Sequence, residues 1–134
     1  MSQTCFCQLF DNPDRAFLAA SQNNKPVLLI FSGSDWCLPC ERLNREIITD
    51  SSFKNYASQK LILIEADFPQ RTKLSKEQTV WNEKLAEEFN PEGIFPYLLL
   101  LKANKTVITS LEYIHYDPAH FIEEINSALI SSGK

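Results

Sequence analysis

Three short, uninterrupted apolar runs limit this chain to few folds. They are Val27-Leu28-Leu29-Ile30-Phe31, Leu61-Ile62-Leu63-Ile64 and Tyr97-Leu98-Leu99-Leu100-Leu101. Runs of strand length without alternating polar residues are typical of strands buried on both faces of a sheet that helices cover. A turn at 102–105 and a further predicted strand over 106–111 follow the third run, which indicates an antiparallel hairpin.

Helical patterns fill the segments between these strands. The predicted helices cover 11–22, 36–48 with a short continuation over 53–58, 75–89, and the segment from 117 to about 129. Ser75 and Gln78 form a capping box at the start of the third helix. Trp81 and Phe89 share a helical face with Leu85 and are therefore expected in the core.

The order of these elements predicts an α/β architecture in one domain. An optional first strand is followed by two helix–strand pairs, a third helix, the hairpin and a last helix. Residues 1–10 are predicted to be a flexible N-terminal segment, and residues 11–134 the domain itself.

Composition and charge exclude several classes of function. The 134 residues include 13 basic and 17 acidic side chains, with a net charge of −4, and the basic ones are scattered. Because phosphate binding needs a basic face, no nucleic-acid partner is expected. No apolar run approaches the ~20 residues that span a bilayer, so membrane insertion is not expected.

The first ten residues lack the features of a signal peptide, which predicts a cytoplasmic location, or a periplasmic one if an export signal was removed.

Cys37-Leu38-Pro39-Cys40 is the motif that carries chemistry, because it lies where a buried strand ends and a helix begins. Positions i and i+3 at a helix start bring two sulfurs within disulfide reach. Backbone N–H groups and the helix dipole favour the thiolate of the first cysteine, which is the attacking species in disulfide exchange. Pro39 lies in the first helical turn, where a backbone N–H has no partner within the helix, so it loses no hydrogen bond and stiffens the turn. We therefore predict Cys37 as the more exposed, attacking thiol and Cys40 as the buried, resolving thiol.

The other cysteines and the histidines give weaker signals. A C-x-x-C pair also serves as half of a zinc site, but Cys5 and Cys7 would have to complete it from across the fold with unsuitable spacing. A redox pair is favoured, and no metal is expected. Cys5 and Cys7 are interpreted as incidental thiols, with a second redox centre as the alternative. His115 and His120 have no metal-ligand or triad partner at suitable spacing and are expected at the surface.

The segment Asp35-Trp36-Cys37-Leu38-Pro39-Cys40 resembles the thioredoxin active site, W-C-x-P-C after a buried strand. Gly93-Ile94-Phe95-Pro96-Tyr97 is similar to the family's segment that holds an active-site cis-proline. The order of elements extends the resemblance over about 11–131. It implies a thioredoxin fold, with a central mixed sheet of four to five strands flanked by helices, and a thiol–disulfide oxidoreductase of bacterial type.

The resemblance also implies roles and partners. Trp36, Phe95 and Pro96 would face the substrate, with Pro96 in a cis bond that brings the Phe95 backbone to the sulfurs. Leu38 and Pro39 favour a reductant, since relatives with x-Pro between the cysteines are commonly reductases. Protein disulfides are the expected substrates, and a reductase or a membrane electron carrier supplies electrons. No bound cofactor is expected, and the protein is expected to be a monomer.

One departure from the family pattern concerns proton transfer. Thioredoxins carry a carboxylate in the strand before the motif, where it helps to deprotonate the buried thiol. The corresponding positions here, Ile30 and Phe31, are apolar. Glu65 or Asp67, at the end of the next strand, is our hypothesis for a substitute. The missing carboxylate leaves a second interpretation open, a thioredoxin-fold binding or redox-sensing module with little turnover.

Overall fold

A computed structural model describes residues 9–10, 12–112 and 117–132 of the chain. Its elements are β1 (Leu9–Phe10), α1 (Pro13–Asn23), β2 (Val27–Ser32), α2 (Leu38–Leu43), a π-helical turn (Asn44–Ile48), α3 (Ser51–Lys60), β3 (Ile62–Asp67), α4 (Lys76–Phe89), β4 (Tyr97–Leu101), β5 (Val107–Leu111) and α5 (Pro118–Ser131). The predicted α/β class and element order are confirmed. Of the predicted flexible segment, residues 1–8 lie outside the described residues, while Leu9 and Phe10 pair with β3.

The strands form one mixed sheet in the order β1-β3-β2-β4-β5. β3 runs parallel to both β1 and β2, whereas β4 runs antiparallel to β2 and β5. Parallel neighbours need a crossover connection, and the chain from α2 to α3 provides it between β2 and β3. The prediction of a mixed sheet with four to five strands is confirmed.

Each face of the sheet carries its own core because successive strand residues point to opposite sides. Leu28 and Ile30 face α2, α3 and α5, where buried side chains such as Phe53 and Phe121 pack on them. Leu29 and Phe31 face α1 and α4 on the other side. The apolar run of β2 is therefore covered on both faces, as predicted.

Polar side chains fix where most helices begin. Asn12, Asp50, Ser75 and Asp117 accept hydrogen bonds from backbone N–H groups in the first turns of α1, α3, α4 and α5. The predicted interruption at 49–52 is thus the N-cap of α3, which begins at Ser51, two residues earlier than expected. These caps satisfy N–H groups that have no partner inside the helix.

The ends of three strands meet at one edge of the sheet. The carboxyl ends of the parallel strands β2 and β3 lie together, and Ser32 pairs with Asp67 there. The start of the antiparallel β4 reaches the same edge, since Tyr97 pairs with Phe31. The cysteine motif, the acidic end of β3 and the Phe95-Pro96 segment therefore converge.

Candidate active site

Cys37 and Cys40 form a disulfide at the N-terminus of α2, with their Cα atoms 5.2 Å apart. Cys37 is the N-cap of this helix, and its Sγ accepts the backbone N–H of Cys40 at 3.3 Å. Cys37 is the more exposed of the two, as predicted, but only slightly: the exposed fractions are 7% and 4%. Both sulfurs are held against the helix start, so access to Cys37 depends on the groups around it.

Gly33 connects the two sides of this disulfide. Its backbone N–H donates to Cys40 Sγ at 3.5 Å. A Cβ atom at this position would overlap the indole ring of Trp36. A glycine therefore permits the close approach of the turn to both the buried sulfur and the tryptophan.

An aromatic cluster lies on the Cys37 side. The Trp36 ring contacts the Phe95 ring edge-on with centroids 5.5 Å apart, and Phe95 contacts Phe68 at 5.6 Å. Trp36 Nε1 donates to the Phe68 carbonyl oxygen at 2.7 Å, which fixes the indole while leaving 38% of the residue exposed. Leu38 is 71% exposed next to Cys37. This side of the disulfide presents apolar surface to solvent.

The Phe95–Pro96 peptide bond is cis, as the family resemblance predicted. Asn90 fixes the turn that leads to it: its buried side-chain amide donates to the Ile94 carbonyl oxygen at 2.9 Å and accepts the Ile94 N–H at 3.0 Å. The helical pattern over 75–89 predicts only that a helix ends just before Asn90. Its side chain instead closes the loop between α4 and the cis bond.

Asp35 ties a distant loop to the active-site turn. Its carboxylate accepts the backbone N–H groups of Gln70, Arg71 and Thr72 at 2.8, 2.8 and 2.9 Å. These bonds, the one from Gln70 foremost, lower the pKa of Asp35 to about 2. No local sequence pattern predicts this tether, because the residues that it joins lie 35 to 37 positions apart. The loop after β3 is thereby held beside Trp36.

A cleft of about 280 Å³ opens on the Cys40 side, beneath α2. It is lined by Ile30 and Ser32 from β2, Glu65 and Asp67 from β3, Cys40 of the motif, and Ser34, Glu41, Leu43, Asn44 and Ile48. The Ser32 hydroxyl donates to Glu65 Oε2 at 2.9 Å. This cleft places the two acidic candidates and the buried cysteine around one space.

The Ser32 hydroxyl lies within reach of both carboxylates in the cleft, 2.9 Å from Glu65 Oε2 and 3.4 Å from Asp67 Oδ1, but Ser34 donates to Asp67 alone. Asp67 accepts the Ser34 N–H at 2.8 Å and the Ser34 hydroxyl at 2.6 Å, one on each oxygen. Burial raises the pKa of Glu65; the hydrogen bond from Ser32 partly offsets this, and the negative charge of Asp67 adds to the rise. The cleft therefore favours the protonated form of Glu65.

The other candidates that the structure describes lie away from this site. Leu85 is buried and Phe89 packs on the same core, while Trp81 is half-buried. His120 is exposed on the first turn of α5. Cys5, Cys7 and His115 lie outside the described residues. Within the part of the chain that the structure describes, no three His, Cys, Asp or Glu side chains group as metal ligands, and no helix is long and apolar enough to cross a membrane.

Known proteins resemble this chain over most of its length. A thioredoxin-like family model matches residues 9–103. The disulfide bond reductase DsbH of Chlamydia pneumoniae is 32% identical over 110 residues, which cover 82% of this chain and 66% of that protein, slightly less than two thirds. A solved structure of a DsbH oxidoreductase superposes with a TM-score of 0.86 at 28% identity, covering 96% of this chain and 92% of the other.

More distant structures share the fold. A thioredoxin from Thermus thermophilus has a TM-score of 0.68 at 15% identity, covering 95% of this chain and 90% of its own. The oxidised C-terminal domain of DsbD from Neisseria meningitidis has a TM-score of 0.60 at 18% identity, covering 86% and 90%. With the family model matched over residues 9–103 and a C-x-x-C disulfide opening α2, this chain belongs to the thioredoxin-like family.

Proposed function

We propose that this protein is a thiol–disulfide oxidoreductase that reduces protein disulfides through Cys37 and Cys40. The observation that carries the proposal is the position of the pair: Cys37 caps α2 and its sulfur accepts a backbone N–H. Such a donor stabilises a thiolate more than a thiol. The relative described as a disulfide bond reductase supports the same activity.

The reaction starts from the reduced pair. The Cys37 thiolate attacks one sulfur of a client disulfide, forming a mixed disulfide and releasing the other client sulfur as a thiolate. Cys40, as its thiolate, then attacks Cys37 Sγ, and the second client sulfur leaves. Two electrons pass to the client, and the Cys37–Cys40 disulfide is the oxidised product.

The aromatic cluster is the surface on which the client binds. Trp36 and Leu38 flank Cys37 in the chain and are exposed, so they offer apolar contact to an extended client segment. Phe95 packs against Trp36, and the backbone before Pro96 provides polar groups for that segment. Pro39, in the first turn of α2, keeps the two sulfurs in place.

Turnover requires a second protein. Each cycle leaves the dithiol oxidised, so a protein electron donor, a reductase or a membrane carrier, restores it by the same exchange chemistry in reverse. The electrons reside on sulfur throughout, and the reaction therefore proceeds without a bound cofactor. The protein works as a monomer, with the disulfide at the edge of the sheet where β2 and β3 end.

Insulin reduction by the purified protein tests this function. In the presence of dithiothreitol, the wild-type chain should accelerate precipitation of the insulin B chain, whereas Cys37→Ser should not. Cys40→Ser should accumulate a mixed disulfide with insulin on non-reducing gels, because its resolving thiol is absent. No acceleration by the wild type would support the binding or redox-sensing interpretation, and trapping by Cys37→Ser instead would reverse the assigned roles.

A further inference from the structure

We propose that Glu65, held by Ser32, accepts the proton of Cys40 when the mixed disulfide is resolved; this inference rests on the proposed function of the cysteine pair. The residue that lies beside Glu65 in the sheet is Ile30. Paired residues on parallel neighbours point to the same face, so Glu65 lies on the face that α2 covers. A carboxylate absent from β2 is thus supplied from β3, one strand away.

The geometry of β2 and β3 makes a small array under Cys40. Ile30 pairs with Glu65, and Ser32 pairs with Asp67, so these four side chains share one face and line one cleft with Cys40. The cleft, about 280 Å³, is large enough for water molecules that relay a proton. Ile30 has an apolar side chain and cannot accept a proton. Glu65, which pairs with it, has a carboxylate that can.

Ser32 acts as a positioning residue. It is buried, and its hydroxyl donates to Glu65 Oε2 at 2.9 Å. The backbone N–H of the next residue, Gly33, donates to Cys40 Sγ. Two adjacent residues of β2 and its turn therefore hold the proton donor and the proton acceptor, and fix their separation.

The other acids of the cleft are less suited to this role. Asp67 already accepts hydrogen bonds from Ser34 on both oxygens, and its Oδ1 lies 3.4 Å from the Ser32 hydroxyl, so its charged form is held by the turn after β2. Glu41 is exposed on α2, where water competes as the acceptor. The titratable groups that line the cleft are Cys40, Glu41, Glu65 and Asp67, and no Lys, Arg or His among the described residues lines it. Burial and the charge of Asp67 both raise the pKa of Glu65, which brings its proton affinity closer to that of a thiol.

The step transfers one proton and forms one bond. The Cys40 thiol gives its proton to the Glu65 carboxylate, and the resulting thiolate attacks Cys37 Sγ. The Cys37–Cys40 bond forms as the bond from Cys37 to the client sulfur breaks. The client leaves as a thiolate, and Glu65 returns its proton to that thiolate or to solvent.

A two-phase reaction with 5,5′-dithiobis(2-nitrobenzoate) isolates this step. The full chain carrying Cys5→Ser and Cys7→Ser, once reduced, should release one nitrothiobenzoate when Cys37 is modified and a second when Cys40 resolves the mixed disulfide. Stopped-flow absorbance follows both, and the second phase should not depend on reagent concentration. Adding Cys40→Ser should remove the second phase only, which assigns it.

Glu65→Gln should slow the second phase by about 10²-fold at pH 6–7, the lower end of the usual contribution of a general base. The first phase should stay within about twofold, because Cys37 attack does not use Glu65. The two proteins should converge at high pH, where Cys40 ionises without help. The second-phase rate of Glu65→Asp should lie between those of wild type and Glu65→Gln. Ser32→Ala should slow the second phase at neutral pH, because Glu65 is no longer held in place by the Ser32 hydroxyl.

Glu41→Gln is the matched control, since it makes the same change in the same cleft and should leave both phases within about twofold. The proposal is overturned if Glu65→Gln keeps the wild-type second phase from pH 5 to 9, if Glu41→Gln slows it equally, or if both phases slow together at all pH values. If Glu65→Gln does not fold, the Ser32→Ala profile decides by the same criteria. Because this assay needs no protein client, a failure of insulin reduction is distinguishable from a failure of the Glu65 assignment.

Discussion

The two sides of the disulfide use carboxylates in opposite ways. Asp35, on the aromatic side, accepts three backbone N–H groups, and its pKa falls to about 2. Glu65, on the cleft side, accepts one hydroxyl and is partly buried, and its pKa rises. The same chemical group is thus fixed as an anion on one side and inclined towards its protonated form on the other.

This difference gives Asp35 a structural role and Glu65 a chemical one. A carboxylate surrounded by N–H donors is a firm tether but a poor base, because its charged form is already stabilised. A carboxylate in a half-buried cleft is a weaker anchor and a better proton acceptor. We expect substitutions on the Asp35 side to change client binding and loop order, and those on the Glu65 side to change proton transfer.

Gly33→Ala should have the largest effect, because Gly33 touches both sides. The added methyl group overlaps the Trp36 ring, and moving the turn also displaces the N–H that Cys40 Sγ accepts. Overpacking of this kind typically costs ~1–3 kcal/mol in the free energy of unfolding, which urea denaturation measures. Both insulin reduction and the resolution phase should slow.

Gly93→Ala is the control for that change. Nothing lies within 4 Å of a Cβ at Gly93, but its φ of +68° is unfavourable for alanine. We expect a loss of ~1 kcal/mol from backbone strain alone, with the resolution phase unchanged. Equal effects of the two substitutions on that phase would contradict the view that Gly33 joins the two sides.

Asp35→Ala should loosen the loop after β3 without affecting resolution. Loss of three charge-assisted acceptor bonds leaves the backbone around Arg71 free to open. Trypsin should cut after Arg71 or Lys73 roughly tenfold faster, since proteolysis reports local opening. Reduction of insulin should slow several-fold, because Trp36 is bonded to Phe68 of the same loop.

Asp50→Ala provides the comparison for Asp35→Ala. Asp50 also accepts backbone N–H groups and has a lowered pKa, chiefly through the Ser52 hydroxyl, but it caps α3. Its loss should weaken α3 and leave the trypsin sites at Arg71 and Lys73 as slow as in wild type. A change in the resolution phase of Asp35→Ala would show that the two sides are not separable.

Local patterns in the sequence predicted the fold and the centre of the site. The apolar runs located β2, β3 and β4, and the position of Cys37 between a strand and a helix predicted its place at a helix N-terminus. Each of these inferences depends on neighbours within a few residues. The cis bond at Pro96 came from the family resemblance, since a Phe-Pro pair does not reveal it.

Contacts between distant residues could not be predicted in this way. The tether from Asp35 to the loop at 70–72 depends on how that loop packs against the turn. The choice between Glu65 and Asp67 depends on the register of β2 with β3, which puts Ile30 beside Glu65 and Ser32 beside Asp67. Ser32 follows the apolar run that predicts β2, yet it ends that strand and bonds to Glu65. A one-residue shift would reverse these faces.

The smallest expected effects, opposite shifts of stability with pH, test the comparison most directly. Asp35 has a lowered pKa, so its stabilising contribution is present above about pH 4 and lost as the pH falls towards 2. Asp35→Asn should therefore be destabilised relative to wild type at pH 7, with the gap closing in acid. Glu65 has a raised pKa, so its favourable contribution exists below its unfolded value and is lost as the pH rises through the folded one.

Glu65→Gln resembles the protonated acid and should be more stable than wild type at pH 7, yet equal to it near pH 4. Urea midpoints at pH 7, 4 and 3 measure both variants, and a destabilised Glu65→Gln at pH 7 would remove the distinction between the two carboxylates. The variant expected to be more stable is also the one expected to resolve mixed disulfides more slowly. That combination is what a group retained for chemistry at the expense of stability should produce.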